Sequence, residues 1–417
     1  MNVLVVPTLF TVIIKKINQI FSYDFFLKHL LLLILAPTIY LCLHPDRIVI
    51  ISAICFYPFM FIYLSKHREW HTNEFDGKAI FYAYFIYHAI TYIRGFFNID
   101  WRPDWINMVS GLLFLSFLVP YWLYMPNTNN LKLLWRSFLI WGIPIGCIIF
   151  FFLPYDIGIM SVVNFVDVFI LCIPFIKKKY SILFLAVALM AVSYDIDRRS
   201  ILINAIVPIL IVLFWRFLKN DLVRKVLISA LIISPLFFLF MGITHTFNIF
   251  ESMNGLDILS TGARNMTVDS RTGIFVDVFS GIEKEGAYLF GLGGNGKVNT
   301  SLVFNVNHDY NLIYKYGRTT SESGILNFIQ QGGLMGFVVY SLLLIFAVMK
   351  ANRSQNTFMK MLSVFIAFEY LYSFVQVPLK TNGTTFYLML WIGMCYNKSF
   401  RNMTNPQMKE YLRTIFK

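Results

Sequence analysis

Long apolar runs alternate with short polar turns over most of this chain. A membrane-spanning helix needs roughly 17–25 apolar residues, and several runs reach or approach that length. The pattern predicts transmembrane helices at 25–43, 48–64, 79–97, 106–125, 137–154, 157–176, 181–194, 201–218, 226–243, 324–349, 359–378 and 383–397. The predicted fold class is therefore all-α, a polytopic bundle of about twelve spans.

Composition indicates that a bilayer is the solvent. The chain of 417 residues is 58% hydrophobic and 14% charged, whereas soluble domains carry about 25% charged residues. A water-soluble core cannot hide that much apolar surface. The five cysteines all lie within apolar runs. We interpret them as small buried hydrophobic residues, and infer neither a disulfide framework nor a zinc site.

The distribution of Lys and Arg predicts the orientation. With the N-terminus inside and the spans alternating, inside segments hold 22 of the 35 cationic residues and outside segments hold 12. Cytoplasmic loops carry the excess of Lys and Arg, so both termini are expected in the cytoplasm. The net charge of +13 then reflects topology, and it gives no reason to expect a nucleic-acid partner.

Four regions follow from this topology. Residues 1–243 hold the first nine spans, 244–322 form one large external loop, 323–397 hold the last three spans, and 398–417 are a basic cytoplasmic tail. Within the loop, Asp269-Ser270 is typical of a helix N-cap. Apolar residues then recur at helical spacing, which predicts an amphipathic helix suited to the membrane surface. They are Ile274, Phe275, Val278, Phe279 and Ile282.

The glycine-rich segment Gly291–Lys297 matches two nucleotide-binding patterns, GxGxxG and GxxxxGK. Val298 stands where the second pattern needs Ser or Thr to hold magnesium, and no βαβ unit surrounds the segment. We therefore reject nucleotide binding and expect a flexible turn at the membrane surface. Its backbone N–H groups remain available to a phosphate in this interpretation.

External arginines suggest an anion site. Arg198 and Arg199 lie on a very short outer loop, against the positive-inside trend, and guanidinium groups match phosphate oxygens. An Asp195–Arg199 pair is the structural alternative. Arg271 lies in the first turn of the amphipathic helix, where a cation is mildly unfavourable. A solvated side chain or a contact with Asp269 would also explain it.

The end of the loop holds further polar candidates, among them His308, Arg318 and Glu322. Glu322 would lie at the N-terminal end of the tenth span, where a carboxylate is favoured, so helix capping is an alternative to chemistry. Gly332 and Gly336 follow in a GxxxG arrangement that permits close helix packing.

This layout resembles the O-antigen polymerase and O-antigen ligase superfamily of bacterial cell envelopes. The features that carry the resemblance are the external Ser-Arg turn at 193–200 and a long loop that runs from Ser270-Arg271 through the glycines to His308, with a Gly-rich helix at 332–336. Asp309 stands where the ligase-type pattern often has Asn, which counts against the ligase subtype.

The resemblance implies a GT-C-like bundle in the bacterial inner membrane with its active face in the periplasm. It implies metal-independent glycosyl transfer, without a cofactor, that polymerises oligosaccharide units carried on undecaprenyl pyrophosphate. Arg198, Arg199 and Arg271 would clamp the pyrophosphate, with Arg318 or Arg264 assisting. His308 or Glu322 would serve the acceptor hydroxyl. Membrane lipid, a chain-length regulator and a flippase are the implied partners.

Three alternatives stay open. A ligase that transfers the polysaccharide to lipid A-core is the nearest. A flippase or other transporter is expected to spread its charges through the spans and to have short loops, unlike 244–322. A non-catalytic assembly protein would not need Arg, His and Glu clustered on one external loop.

Overall fold

The computed structural model of the protein describes residues 22–30, 62–67, 73–100, 104–105, 108, 119, 121–142, 144, 169–194, 199–243, 270–299, 317–319, 321, 323–374 and 383–415. Helices dominate these ranges. Their β pairing consists of two isolated bridges, Phe75 with Asn397 and Val298 with Arg318. The all-α class is therefore confirmed for the described part of the chain.

The α-helices of the described ranges are numbered here in chain order. They are α1 (Lys78–Gly95), α2 (Thr128–Ser137), α3 (Lys178–Tyr194), α4 (Arg199–Leu213), α5 (Trp215–Leu218), α6 (Asp221–Ile243), α7 (Ser270–Lys284), α8 (Gly324–Asn352), α9 (Thr357–Tyr372), α10 (Gly383–Tyr396), α11 (Lys398–Asn402) and α12 (Asn405–Ile415). Further helical residues lie at 23–30 and 62–66. Most of these helices coincide with the apolar runs, and α7 coincides with the amphipathic helix expected in the loop.

Polar side chains define several helix starts. The Asn127 side chain accepts hydrogen bonds from the N–H groups of Asn129 and Asn130 at the start of α2. Asn356 does the same for Met359 in α9, and Ser323 for Leu326 in α8. These caps satisfy N–H groups that have no partner within their own helix. The cap of α8 is thus Ser323, whereas Glu322, the residue considered for that end, lies outside the described residues.

Helix α8 is the centre of the described bundle. It packs against α1, α7, α9 and α10, and α9 packs in turn against α6. The contact faces are mainly apolar, with buried residues such as Leu343, Ala347, Ile366 and Ile392, and the hydroxyls of Ser341 and Tyr370 form a hydrogen bond between α8 and α9 at 3.0 Å. Such close packing is the main source of helix–helix stability where the surroundings are also apolar.

Helix α8 is broken at Gly333. The backbone there has φ 59° and ψ −153°, which is not helical. The break is sharp, because a Cβ atom on Gly336 would lie 2.6 Å from the carbonyl oxygen of Phe328, and the rings of Phe328 and Tyr340 stack at 4.2 Å. Residues 324–332 therefore fold back on the longer segment 334–352. The single span expected at 324–349 is two helical segments.

In the described part of the chain, α8 is the one helix long and apolar enough to cross a membrane. The twelve-span bundle is not confirmed by this finding, since a buried core helix of a soluble protein has the same length and composition. The outer face of α8 is more informative. Large apolar side chains spaced three or four residues apart are exposed along its length, namely Leu334, Val338, Leu342, Phe346 and Met349.

Helix α1 has a similar exposed stripe, formed by Tyr82, Ile86, Ile90 and Ile93. Helix α6 exposes Val226, Ile233 and Leu236. Soluble monomers rarely expose contiguous apolar surface on this scale. Three helices of one bundle thus present continuous apolar stripes to the surroundings while their opposite faces are packed.

Polar contacts close one end of the bundle, which we call the Asp76 end. Asp76 pairs with Lys350 at 3.0 Å and with Arg401. Buried Arg224 pairs with Asp221 and donates to the side-chain oxygen of Asn352 at 2.6 Å. The region predicted as a basic tail is folded here: α12 buries Met408, Leu412 and Ile415, and the Tyr411 hydroxyl donates to the Thr128 carbonyl.

Candidate functional site

The glycine turn, Gly291–Lys297, lies at the opposite end of α8 from Asn352. It has a defined conformation in which Gly291, Gly293 and Asn295 adopt positive φ angles of 60°, 85° and 54°. Glycine reaches this region without strain, and Asn is one of the few other residues that tolerate it. The sequence therefore builds a tight turn and not an extended phosphate-binding loop followed by a helix.

The N–H groups of the turn are already used. Leu292 donates to the carbonyl of Gln330 at 2.7 Å, Gly293 to that of Gln331 at 2.9 Å, and Gly294 to that of Thr91 at 3.0 Å. Each of these acceptors belongs to the end of a helix or helical segment. The turn thus joins α1 to the first segment of α8. The expectation of a flexible turn with N–H groups free for a phosphate is wrong for these three residues.

Two side chains, one in α1 and one just after it, donate hydrogen bonds to backbone carbonyls in and next to the turn. Arg94 donates from Nη1 to the Phe290 carbonyl and from Nη2 to the Gly291 carbonyl. Asn98 donates to the carbonyls of Leu292 and Gly294 at 3.0 and 2.9 Å. The Arg94 guanidinium therefore holds two consecutive backbone carbonyls through two different nitrogens.

The segment before the turn caps the second part of α8. The N–H groups of Leu334 and Met335 donate to the carbonyls of Tyr288 and Leu289 at 2.8 and 3.1 Å. The broken helix therefore has partners on both sides of Gly333: its last carbonyls accept from the glycine turn, and its next N–H groups donate to the residues before the turn. A break inside an apolar bundle requires such partners.

A buried ion pair follows the turn. Lys297 pairs with Asp104 at 2.8 Å and also with Asp100. Asp104 is 1% exposed, and it also accepts from the Asp100 N–H. Burial by itself would lower the pKa of Lys297, but its hydrogen bonds to Asp100 and Asp104 and their negative charges raise the pKa above its ordinary value. Lys297 is thus a charged structural link.

Arg318 is the one predicted site residue whose side chain the structure describes. Its backbone forms a two-way bridge with Val298, at 3.0 and 2.8 Å. The wholly buried side chain of Gln330 donates to the carbonyls of Arg318 and Gly296, at 2.9 and 2.8 Å. Backbone contacts on two sides therefore hold Arg318 beside the glycine turn.

Polar atoms near Arg318 lack partners within the described structure. Nη1 of Arg318 is buried without a hydrogen bond, and so is the side-chain oxygen of Gln330. Native proteins rarely leave buried polar atoms unpaired, and a buried guanidinium nitrogen without an acceptor is costly. An oxygen-rich anion beside Arg318 would supply the missing acceptor.

The other predicted residues are placed in part or lie outside the described residues. Arg199 is the first residue of α4 and Arg271 the second residue of α7, and the structure describes their backbones alone. The remaining residues assigned to the clamp or to catalysis lie outside the described ranges: Arg198, Arg264, His308 and Glu322. Their mutual arrangement stays a prediction.

Helix α7 links Arg271 to the turn. Its residues Ile274, Val278 and Ile282 are buried, and α7 packs against α6 and α8. This part of its apolar face therefore packs against protein and not against a membrane surface. Gly281 packs on Val298, where an added Cβ would lie 2.6 Å from the Val298 side chain. At 1.5 Å per residue, the Arg271 backbone lies about 15 Å along the axis from this contact.

Sequence reasoning did not assign roles to Asn98, Asp100, Asp104 and Lys297. Lys297 was considered within a rejected nucleotide motif. The three polar residues follow an apolar run and give no pattern of their own. Arg94 could have been singled out, because the predicted topology puts this cation at the outer end of the third span, where cations are disfavoured.

Comparison with known proteins did not identify a relative: no protein family, curated protein or solved structure matched the chain.

Proposed function

We propose that the protein is a polytopic membrane glycosyltransferase that polymerises oligosaccharide units carried on a polyprenyl pyrophosphate. The observation that carries the proposal is the buried, unpartnered Nη1 of Arg318 beside the glycine turn. Arg94 and Lys297 add positive charge nearby, but both are already bonded within the protein. Arg318 therefore has an unsatisfied donor suited to a phosphate oxygen.

The apolar stripes on α1, α6 and α8 support the membrane part of the proposal. Segment 334–352 alone would extend about 28 Å, close to the thickness of a bilayer core. Contact with the bilayer core would remove the exposed Leu334, Val338 and Leu342 from water, which is favourable for apolar side chains. A lipid-linked substrate needs an enzyme in this position, with its polar site next to an apolar surface.

The segments predicted to be inside and those predicted to be outside gather at opposite ends of the bundle, which supports the predicted orientation. Segments assigned to the cytoplasm meet at the Asp76 end, where Asp76, Lys350 and Arg401 are in contact. Segments assigned to the outside meet around the glycine turn, where Asn98 donates to the Leu292 carbonyl and Arg318 pairs with Val298, the residue directly after the turn. In this proposal the glycine-turn end faces the periplasm.

The chemistry follows from the two reactants. The acceptor hydroxyl oxygen forms a bond to the anomeric carbon of the donor sugar, the bond from that carbon to the pyrophosphate oxygen breaks, and polyprenyl pyrophosphate leaves. Arg318, with Arg198, Arg199, Arg271 and Arg264, would stabilise the charge that develops on the leaving group. His308 or Glu322 would take the proton of the acceptor hydroxyl.

A transporter is the second candidate, because the break at Gly333 is a feature of discontinuous transporter helices. In such helices the free ends of the half-helices bind the substrate or the coupling ion. Here the carbonyls of Gln330 and Gln331 and the N–H groups of Leu334 and Met335 are bonded to backbone groups of the protein. These ends are unavailable to a solute, so we favour the glycosyltransferase.

Two measurements separate the candidates. Purified protein in lipid nanodiscs is incubated with a polyprenyl-pyrophosphate-linked oligosaccharide, and products are resolved by length. A ladder of lipid-linked oligomers is expected. Transfer to added lipid A-core without a ladder would identify a ligase. Absence of both products, together with movement of the lipid-linked unit across a proteoliposome membrane, would identify a transporter and overturn the proposal.

A further inference from the structure

Three consecutive large apolar residues are exposed just before the glycine turn. Tyr288 is 56% exposed, Leu289 48% and Phe290 59%. They belong to the segment 244–322 that the sequence assigns to one large external loop. Consecutive apolar side chains turned outward from one short loop are unusual on a water-facing surface, and they mark a contact with another apolar phase.

The backbone of this loop is paired as it would need to be in an apolar phase. The carbonyls of Tyr288 and Leu289 accept from Leu334 and Met335, and that of Phe290 accepts from Arg94. The Gly291 N–H donates to the Ala287 carbonyl at 2.8 Å. A loop in water could leave these groups to solvent, whereas a loop at the edge of lipid must pair them within the protein.

The loop lies where the exposed apolar stripes of α8 and α1 end. Leu334 and Met335, which bond it, begin the exposed face of α8 and are 55% and 41% exposed. Ile93, at 58% exposed, ends the stripe of α1 just before the Arg94 clamp. The apolar surface of the loop therefore continues the surface that faces lipid in the proposed function.

We propose that Tyr288–Phe290 is an interfacial anchor that inserts into the boundary between the lipid headgroups and acyl chains. This inference rests on the membrane embedding in the proposed function but is independent of the glycosyl transfer. Tyr288 suits this boundary because its ring is apolar and its hydroxyl is polar. Phe96 and Phe97 lie close to Arg94 in the sequence and are 47% and 85% exposed, so they add two aromatic rings suited to the same boundary.

The anchor has a mechanical consequence for the site. The same carbonyls that place the anchor also cap the first turn of segment 334–352. Arg94 bonds both the anchor at Phe290 and the glycine turn at Gly291. Insertion of the anchor thus sets the depth of the glycine turn, and with it the distance between Arg318 and the headgroup layer.

Nitroxide accessibility tests the insertion. Spin labels are placed singly at positions 289 and 290 in a background without the five native cysteines, and the protein is reconstituted in nanodiscs. Labels at Leu289 and Phe290 should be relaxed more by oxygen than by a water-soluble nickel chelate. A label at Glu285, an exposed residue of the same loop, should show the opposite ratio and is the matched control.

A label at Val338, on the exposed stripe of α8 about one turn from Leu334, distinguishes the possible failures. If Val338 is relaxed by oxygen but Phe290 follows Glu285, the anchor is wrong while the embedding stands. If Val338 is relaxed by nickel as well, the embedding itself is wrong. If Phe290 is inaccessible to both reagents, a second copy or another protein covers the loop, and the lipid contact is refuted.

A measurement on the unsubstituted protein avoids dependence on cysteine variants. A photoactivatable diazirine lipid is incorporated in the nanodiscs, and its adducts are mapped by mass spectrometry. Peptides that contain Tyr288–Phe290 should carry at least about fivefold more adduct than the neighbouring segment 283–285. Equal labelling of the two segments would overturn the proposal.

Discussion

Gly291 and Gly333 meet backbone to backbone. A Cβ atom on Gly333 would lie 2.5 Å from the Gly291 nitrogen, and a Cβ on Gly291 would overlap the Gly333 nitrogen. Both residues have φ close to +60°. Glycine is therefore required at each position twice, for conformation and for space, and this contact is what allows the glycine turn to lie across the break in α8.

Replacement of either glycine by alanine should destabilise the fold severely. A left-handed conformation costs a non-glycine residue about 1–2 kcal/mol, and the clash adds to this cost. Gly286→Ala is the matched control, since Gly286 has φ +61° and nothing within 4 Å of an added Cβ. Thermal unfolding in detergent should show a much larger loss for Gly291→Ala and Gly333→Ala. Equal losses for the three variants would show that the contact is unimportant.

Arg318→Ala should slow polymerisation strongly without unfolding the protein. Loss of one group that stabilises developing charge typically lowers kcat by about 10²–10³-fold. Arg318→Lys should restore little, because an ammonium cannot reproduce the guanidinium fork. Arg413→Ala, on the exposed face of α12, is the control for removal of a cation. Wild-type product ladders from Arg318→Ala would remove this residue from the site.

The Lys297 pair predicts a loss of stability at alkaline pH. Because the folded-state pKa of Lys297 lies above its ordinary value of 10.5, the stabilisation is fully present below pH 10.5 and is lost as pH rises through the folded-state pKa. Denaturation of the wild type should show this loss, and a Lys297→Met variant should lack it.

The same variant tests the burial of Asp104. Lys297→Met leaves a carboxylate that is 1% exposed without its lysine, which should cost about 3 kcal/mol at neutral pH. A Lys297→Met/Asp104→Asn double variant should recover a large part of that loss. Additive losses in the double variant would show that the two side chains are not coupled.

Reporter fusions test the orientation. A reporter after Thr300 should give a periplasmic signal, and one at the C-terminus a cytoplasmic signal. A third fusion in the turn at Lys219-Asn220, between α5 and α6, should also be cytoplasmic. A periplasmic signal from the C-terminal fusion would overturn the twelve-span count.

The base is tested by kinetics with purified protein and lipid-linked oligosaccharide. If His308 or Glu322 accepts the hydroxyl proton, His308→Ala or Glu322→Gln should lower the rate by about 10²-fold, the lower end for general-base catalysis, because pyrophosphate is a good leaving group. Thermal stability should be unchanged. Wild-type rates for both variants between pH 6 and 8 would exclude both residues, while the polymerase proposal would stand.

The positions of helices could be predicted from local pattern. An apolar run such as Asp221–Ile243 must satisfy its backbone internally, and a helix does so without help from the rest of the chain. The break at Gly333 depends on partners more than forty residues earlier, at Tyr288 and Leu289. No local pattern encodes those bonds, so the sequence predicted one straight helix there.

The candidate site shows the same division. The sequence indicated Arg318 as a cation on the outer loop, because charge bias is a property of composition. Its bridge to Val298 and the hydrogen bond from Gln330 are tertiary contacts between separate segments. The local sequence of each segment does not indicate that they meet. The glycines were noticed, but whether their N–H groups were free depended on Gln330, Gln331 and Thr91.

The contact between Asp76 and Arg401 joins residues 325 positions apart. Asn356 strengthens the same closure, because its side chain donates to the carbonyls of Phe400 and Met403 at 2.8 and 3.0 Å. During synthesis, Asp76 therefore lacks its second partner, Arg401, until nearly all of the later helices have left the ribosome. A nascent chain stopped before residue 397 would lack Arg401 and α12, so this end of the bundle would stay open and the apolar surface that Met408 and Leu412 cover would be exposed.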